Sequence, residues 1–230
     1  RSRFPSRFGG MWTDRDDFET QLKEQLRVGK VQEQDVPLLE RWHRDGFVVF
    51  AQCVPAGLVD LLVAEFDALP THHPKGLKIA GGGELEARIY YPEQVRVHES
   101  IRIVDYYFFS KTAREVLFNV KTTEFLRKVF DAEPILTQSL SFEFGSEQEI
   151  HRDTAFVIMN SPLKLAAIWI ALEDVQEGSG ELMYYPTSHL WGDFLFSGTF
   201  KHWDRERDGE QQLADWHAWL HEQGRKRGIK

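Results

Sequence analysis

The chain has 230 residues, 42% of them hydrophobic, enough for the core of one domain; its net charge of −8, with no dense Lys/Arg patch, sets nucleic-acid binding aside. No apolar run approaches the ~20 residues of a membrane span and no signal peptide is visible, while the first residue, Arg1, leads one to expect that an amino-terminal portion was removed or left out. A single cysteine, Cys53, excludes an internal disulfide and a cysteine-based zinc site, and makes a reducing, cytoplasmic setting the expectation.

The segment "WTDRDDFETQLKEQL" predicts a helix. Thr13 is placed to cap it, acids crowd its first turn, and Phe18, Leu22 and Leu26 fall on one stripe. "DVPLLERWHRDG" predicts a second helix closed by Gly46. The β-branched apolar run "FVVFAQCV" predicts a strand, and "PAGLVDLLVAEFDAL" a helix opened by Pro55 and ended before Pro70. Residues 70–86 predict a loop, loosest at Gly81-Gly82-Gly83, whose spacing is not that of a phosphate-binding fingerprint. "ARIYY" predicts a short strand, and "SKTAREVLFN" and "TTEFLRKVF" short helices capped by Ser110 and Thr122.

From residue 135 the texture changes. "ILTQSLSFEFG", "TAFVIM", "KLAAIWIALE" and "ELMYYP" are strand-like and separated by turn residues, as in a β-sandwich or barrel. "DGEQQLADWHAWLHEQG" then returns to helical periodicity, with Leu213, Trp216 and Leu220 on one face. The expected organisation is one domain over 1–230: a helix-and-strand part, 1–134, followed by core strands and a late helical insertion, 135–230.

His-x-Asp occurs three times, at His43–Asp45, His151–Asp153 and His202–Asp204. Nine His and 15 Asp would yield roughly 0.6 such matches by chance, so local geometry has to separate them. In a helix, residues two apart point apart, which removes His43 and Asp45. In an extended chain they share a face. His151 and Asp153 lie between the turn-like "FGSEQE" and the apolar "TAFVIM", so both side chains are expected to reach one point, with Arg152 facing the other way. That arrangement supplies two donors of a 2-His-1-carboxylate iron site. His202 and Asp204 fall in a charged segment that reads as a solvated turn. The kinase reading of His-Arg-Asp fails, because Ile158 and Phe50 stand where an Asn is required.

"SLSFEFGSEQEIHRDTAFV" and "WIALEDVQEGSGELMYYPTSH", with "FGGMWTDRDDFE" and "RWHRDGFVVFAQCVPAGLVDLL" before them, resemble the phytanoyl-CoA dioxygenase family of iron(II)/2-oxoglutarate oxygenases over nearly the whole chain. The resemblance implies a mainly β fold with flanking helices, a double-stranded β-helix or jelly roll. It makes His151 and Asp153 the first two iron(II) ligands, with Trp169 and, as a lesser candidate, Gln138 lining the 2-oxoglutarate pocket. His189, in "PTSH", is structural by the same comparison. The family's third ligand, a histidine, and its cosubstrate-gripping arginine belong to a late strand; on this pattern the barrel is expected to be incomplete at its carboxyl end. His217 and His221 share a helix face without an evident carboxylate or cysteine partner, which reads as amphipathic solvation. Tyr90 and Tyr91, or the Gly81–Gly83 loop, are candidates for part of a lid. The implied reaction couples oxidative decarboxylation of 2-oxoglutarate to hydroxylation of a small organic or acyl substrate by oxygen. The competing expectation is a non-catalytic jelly roll that binds a ligand or partner.

Overall fold

The computed structural model describes residues 3–81, 84–89, 101–142, 148–161, 163–179 and 181–229, with the backbone alone described over 84–89. Tyr90, Tyr91, Gly82, Gly83 and most of "FGSEQE" lie outside the described residues.

The amino-terminal helices close over their own apolar cluster. Helix α1 (Phe18–Arg27) buries Phe18 and Leu22, with Leu26 packed at the margin, as the predicted stripe requires. Its cap differs from expectation. Asp17 occupies the N-cap, and Thr13 sits a turn earlier in a 3-10 turn, Trp12–Asp14, fully buried. Thr13 is used through its backbone: its carbonyl accepts from His43 Nδ1 at 2.6 Å. Helix α2 (Val36–Asp45) carries His43 and ends on Gly46 at φ 83°. Trp42 and Phe50 meet Phe125 edge-on at 5.5 and 5.4 Å, joining these helices to α5 (Val120–Phe130).

A second cluster lies under a four-stranded antiparallel sheet. Helix α3 (Ala56–Ala68) contributes Leu62, and α4 (Lys111–Leu117) contributes Ala113 and Val116. Ser110 caps α4 as predicted, accepting from the Ala113 amide. Asn119, rather than Thr122, caps α5, one turn before the expected start. The sheet runs β2-β1-β3-β4: β1 (Lys78–Gly81), β2 (Glu84–Ile89), β3 (Arg102–Val104) and β4 (Leu140–Phe142). Thus the predicted loop at 70–86 contains a strand and the start of another. Ile79 pairs with Ile103 and Ile103 with Ser141, so both isoleucines turn to the α3/α4 core. Arg102, in register with Ala80 and Phe142, points to the other face.

The carboxyl half packs on α6 (Arg205–Lys226), which buries Trp216 and Leu220 against Ala155, Trp191 and Phe196, with Leu213 beside them. The mainly β expectation needs correction: helices hold more of the described residues than strands do. Residues 47–54, 154–159, 164–173 and 181–186 form no ladder among the described residues, and a closed jelly roll is not formed by them. Strand propensity measures fit to a half-buried pleated surface, and a strand exists only where a partner accepts its hydrogen bonds. Ile158 and Met183, each 76% exposed, have the apolar content of strands without that partner. No helix among the described residues is long and apolar enough to cross a membrane.

The carboxyl half is pinned to α2 at Gly46. His189 Nε2 donates to the His43 carbonyl at 2.8 Å, and the Thr187 amide donates to the Asp45 carbonyl at 2.9 Å. A Cβ on Gly46 would stand 2.3 Å from His189 Nδ1. Gly46→Ala is therefore expected to destabilise the chain by ~2–4 kcal/mol, the sum of a left-handed backbone penalty and overpacking, read as a lower urea midpoint.

Candidate metal centre

His151 and Asp153 are brought together. Arg152 between them is extended, at φ −117° and ψ 124°, so its two neighbours turn to one side. His151 Nε2 lies 3.3 Å from Asp153 Oδ1. Asp153 opens a 3-10 turn, Asp153–Ala155, in place of the predicted strand. The convergence survives because it depends on the conformation of Arg152 and is indifferent to the backbone after Asp153. The turn is tied down beyond the pair: Trp203 N donates to the Ala155 carbonyl, and His202 Nδ1 to the Thr154 carbonyl at 2.8 Å.

His151 Nδ1 donates to the Glu149 carbonyl at 2.7 Å, which leaves Nε2 as the nitrogen aimed at Asp153. Two donors at right angles, each about 2.1 Å from one ion, stand roughly 3 Å apart, so the 3.3 Å separation fits a shared cation with little movement. The donor types, one imidazole and one carboxylate, suit iron(II). Among the described residues no third His, Cys, Asp or Glu joins them.

The surroundings are aromatic with one cation. Phe156 stands edge-on to His151 at 6.1 Å. Tyr184 stacks on Phe47 at 5.0 Å; burial, with the charge of Asp153 added to it, pushes its phenol up. Arg102 reaches this side from β3. Its guanidinium lies 5.8 Å from the Phe142 ring, and its positive charge opposes protonation of His151. Arg102 Nε is buried without a hydrogen-bond partner, and burial pushes the guanidinium down. Arg102 is the functional candidate that the sequence reading missed. Its signal was a lone arginine inside the apolar run "IRIV".

The other positions named from the sequence have the following surroundings. Trp169 is 48% exposed and Gln138 is also exposed; among the described residues neither has a hydrogen bond, ion pair or ring contact with His151 or Asp153. His43 is consumed by Thr13 and by stacking on Phe18 at 4.1 Å, and His189 by the His43 carbonyl. The His202–Asp204 pattern is not a solvated turn: Asp204 caps α6, accepting from the Arg207 amide, and His202 is half-buried against Thr154. His217 and His221 diverge to separate partners, His217 to Glu149 at 3.4 Å and His221 to the Tyr185 hydroxyl at 3.2 Å.

The bond to Asp153 is the largest influence raising the His151 pKa, against the opposing effects of burial and Arg102. A histidine raised in the folded state contributes stability that is full below its unfolded value of 6.5 and is lost as pH rises through the folded value. Asp153→Asn is thus expected to move the His151 titration to lower pH, monitored by the NMR shift of its ring Cε1 proton, and to remove that pH-dependent stabilisation.

The profile of phytanoyl-CoA dioxygenase (PhyH) matches residues 42–226, a span that takes in β1 to β4, the His151–Asp153 pair and α6. No curated protein and no solved structure matches the chain. The family match covers most of the sequence and both donors, and on it the chain belongs to the phytanoyl-CoA dioxygenase family.

Proposed function

We propose that this chain is a non-haem iron(II)- and 2-oxoglutarate-dependent dioxygenase that hydroxylates a small organic or acyl substrate, built on a double-stranded β-helix and working in the reducing cytoplasm. The observation that carries the proposal is the convergence of His151 Nε2 and Asp153 Oδ1 at 3.3 Å, on a chain of this family. His151 and Asp153 would hold the iron(II). When bound, the metal supplies the oxidative chemistry: decarboxylation of 2-oxoglutarate coupled to insertion of an oxygen atom into a C–H bond.

The chain's own residues supply aim. The Glu149 carbonyl fixes the His151 ring and its tautomer. Asp153 offers a carboxylate whose exposure leaves room for cosubstrate beside it. Arg102 would grip a carboxylate of 2-oxoglutarate: its Nε is buried and lacks a partner. Phe47, Tyr184 and Phe156 would line the substrate side with rings. Trp169 and Gln138 enter the proposal through the family resemblance alone.

Anaerobic titration with iron(II), with and without 2-oxoglutarate, tests this reading. The wild-type chain is expected to bind iron and to develop a cosubstrate-dependent visible band, both lost in His151→Ala. Arg102→Gln is expected to keep iron binding and to weaken 2-oxoglutarate by ~10–100-fold, the worth of one charge-assisted pair. A wild-type chain that binds neither would overturn the oxygenase proposal in favour of a non-catalytic binding module.

A further inference from the structure

Arg152 occupies the position between the two donors and faces away from them. Its Nη2 donates to the Ser188 carbonyl at 2.6 Å and its Nη1 to the Gly192 carbonyl at 3.4 Å. Its guanidinium carbon lies 5.7 Å from the Trp191 ring and 5.3 Å from the Trp219 ring. Trp191 is 2% exposed in the third core, and Trp219 comes from α6. Among the described residues these donors reach carbonyls and no carboxylate. Nε is buried and unpartnered, and burial pushes the guanidinium to about 10.

Asp193 favours the Arg152 charge from nearby and Arg227 opposes it, but among the described residues no carboxylate bonds it, and an apolar side chain of similar size would fill the space at less expense. What an apolar residue cannot offer is a planar fork that reaches two carbonyls of one turn while lying against two indoles. Lysine cannot offer it either, because its ammonium is a compact point charge. The fork fixes the rotation of the 151–153 backbone relative to the third core. Rotation of that backbone decides where the imidazole and carboxylate on its other side meet.

We infer that Arg152 is a positioning residue for the metal centre: its clamp on the 188–192 turn, between Trp191 and Trp219, holds His151 and Asp153 in the rotation that makes them converge. The inference rests on reading that pair as metal ligands. Its consequence is that metal affinity depends on a side chain that touches neither the metal nor its donors.

The test uses the full chain, cobalt(II) as a spectroscopic probe for iron(II), and hydrogen exchange of the metal-free protein. Arg152→Met, Arg152→Lys and Trp219→Leu are compared with wild type and with His151→Ala, at a temperature where circular dichroism shows each folded. Arg152→Met is expected to weaken cobalt(II) by ~10–100-fold, in the range for partners that orient a ligand, and to alter the cobalt d–d spectrum. It should also speed exchange of the Ala155, Phe156 and Val157 amides, which donate to the Arg152 and Asp153 carbonyls. Arg152→Lys should fall near Arg152→Met, since charge alone does not rebuild the fork. Trp219→Leu should shift affinity the same way by a smaller factor, and it keeps the inference testable if the Arg152 variants do not fold. Affinity within twofold of wild type and unchanged exchange in the folded variants would overturn it. A wild-type chain without cobalt binding would sink the metal reading and this metal role with it, whereas normal wild-type binding with indifferent Arg152 and Trp219 variants would sink the positioning role alone.

Discussion

The alternation of side chains across one extended residue is the constraint on which the site depends. Arg152 sits in the β region, and the pleat sends His151 and Asp153 to one side and the guanidinium to the other. A change of that single residue to helical dihedrals would put roughly 200° between the two donors and abolish their meeting. The helical copy of the motif shows the contrast: His43 in α2 turns to Thr13 while Asp45 pairs with Arg44. Identical tripeptides therefore have different chemistry because the backbone between the outer residues differs. The 3-10 turn opened by Asp153 does not disturb the pair, since it begins where the required geometry has already been set.

Three apolar clusters bring that residue to its place. The first, under α1, α2 and α5, ends at Gly46, where the absence of a Cβ lets His189 approach the end of α2. The second, under the sheet, turns Ile79 and Ile103 inward and so sends Arg102 to the opposite face, toward His151. The third receives the Arg152 guanidinium between Trp191 and Trp219. The 187–192 turn serves two of them: its Thr187 amide and His189 ring bond to α2, and its Ser188 and Gly192 carbonyls bond to Arg152. The end of α2 and the donor-bearing backbone thus share one anchoring turn, although Asp45 and Arg152 are far apart in sequence.

Helices were legible from the sequence because their signals are local. Phe18, Leu22 and Leu26 mark a face, Gly46 ends a helix, and Ser110 caps one, each without reference to the rest of the chain. The errors had two causes: Thr13 is buried by tertiary packing and gives up the capping role, whereas Asn119, an equally local cap whose side chain accepts from the Thr122 amide, starts α5 first. Strands were less legible because a ladder is a property of two segments. β1 hid in a run read as loop, while apolar segments such as 164–173 lack a described ladder. His151 and Asp153 were legible because spacing two in an extended stretch is itself a geometric statement. Arg102 was not, because its relation to His151 depends on sheet register between distant segments.

The two arginines near the pair illustrate how partner inventory separates structure from chemistry. Both are partly desolvated, and both have an unpartnered Nε. Arg152 spends its terminal nitrogens on two carbonyls and its faces on two indoles, so its remaining capacity is small and its surroundings are protein. Arg102 has a ring contact with Phe142 and no hydrogen bond to a described residue, on the face that carries His151. A buried guanidinium Nε without an acceptor is unfavourable until one arrives. Arg152 has its terminal nitrogens engaged by protein carbonyls, which suits it to hold the backbone between the two donors. On the proposed function, the Arg102 Nε is the donor open to a carboxylate arriving beside the His151–Asp153 pair.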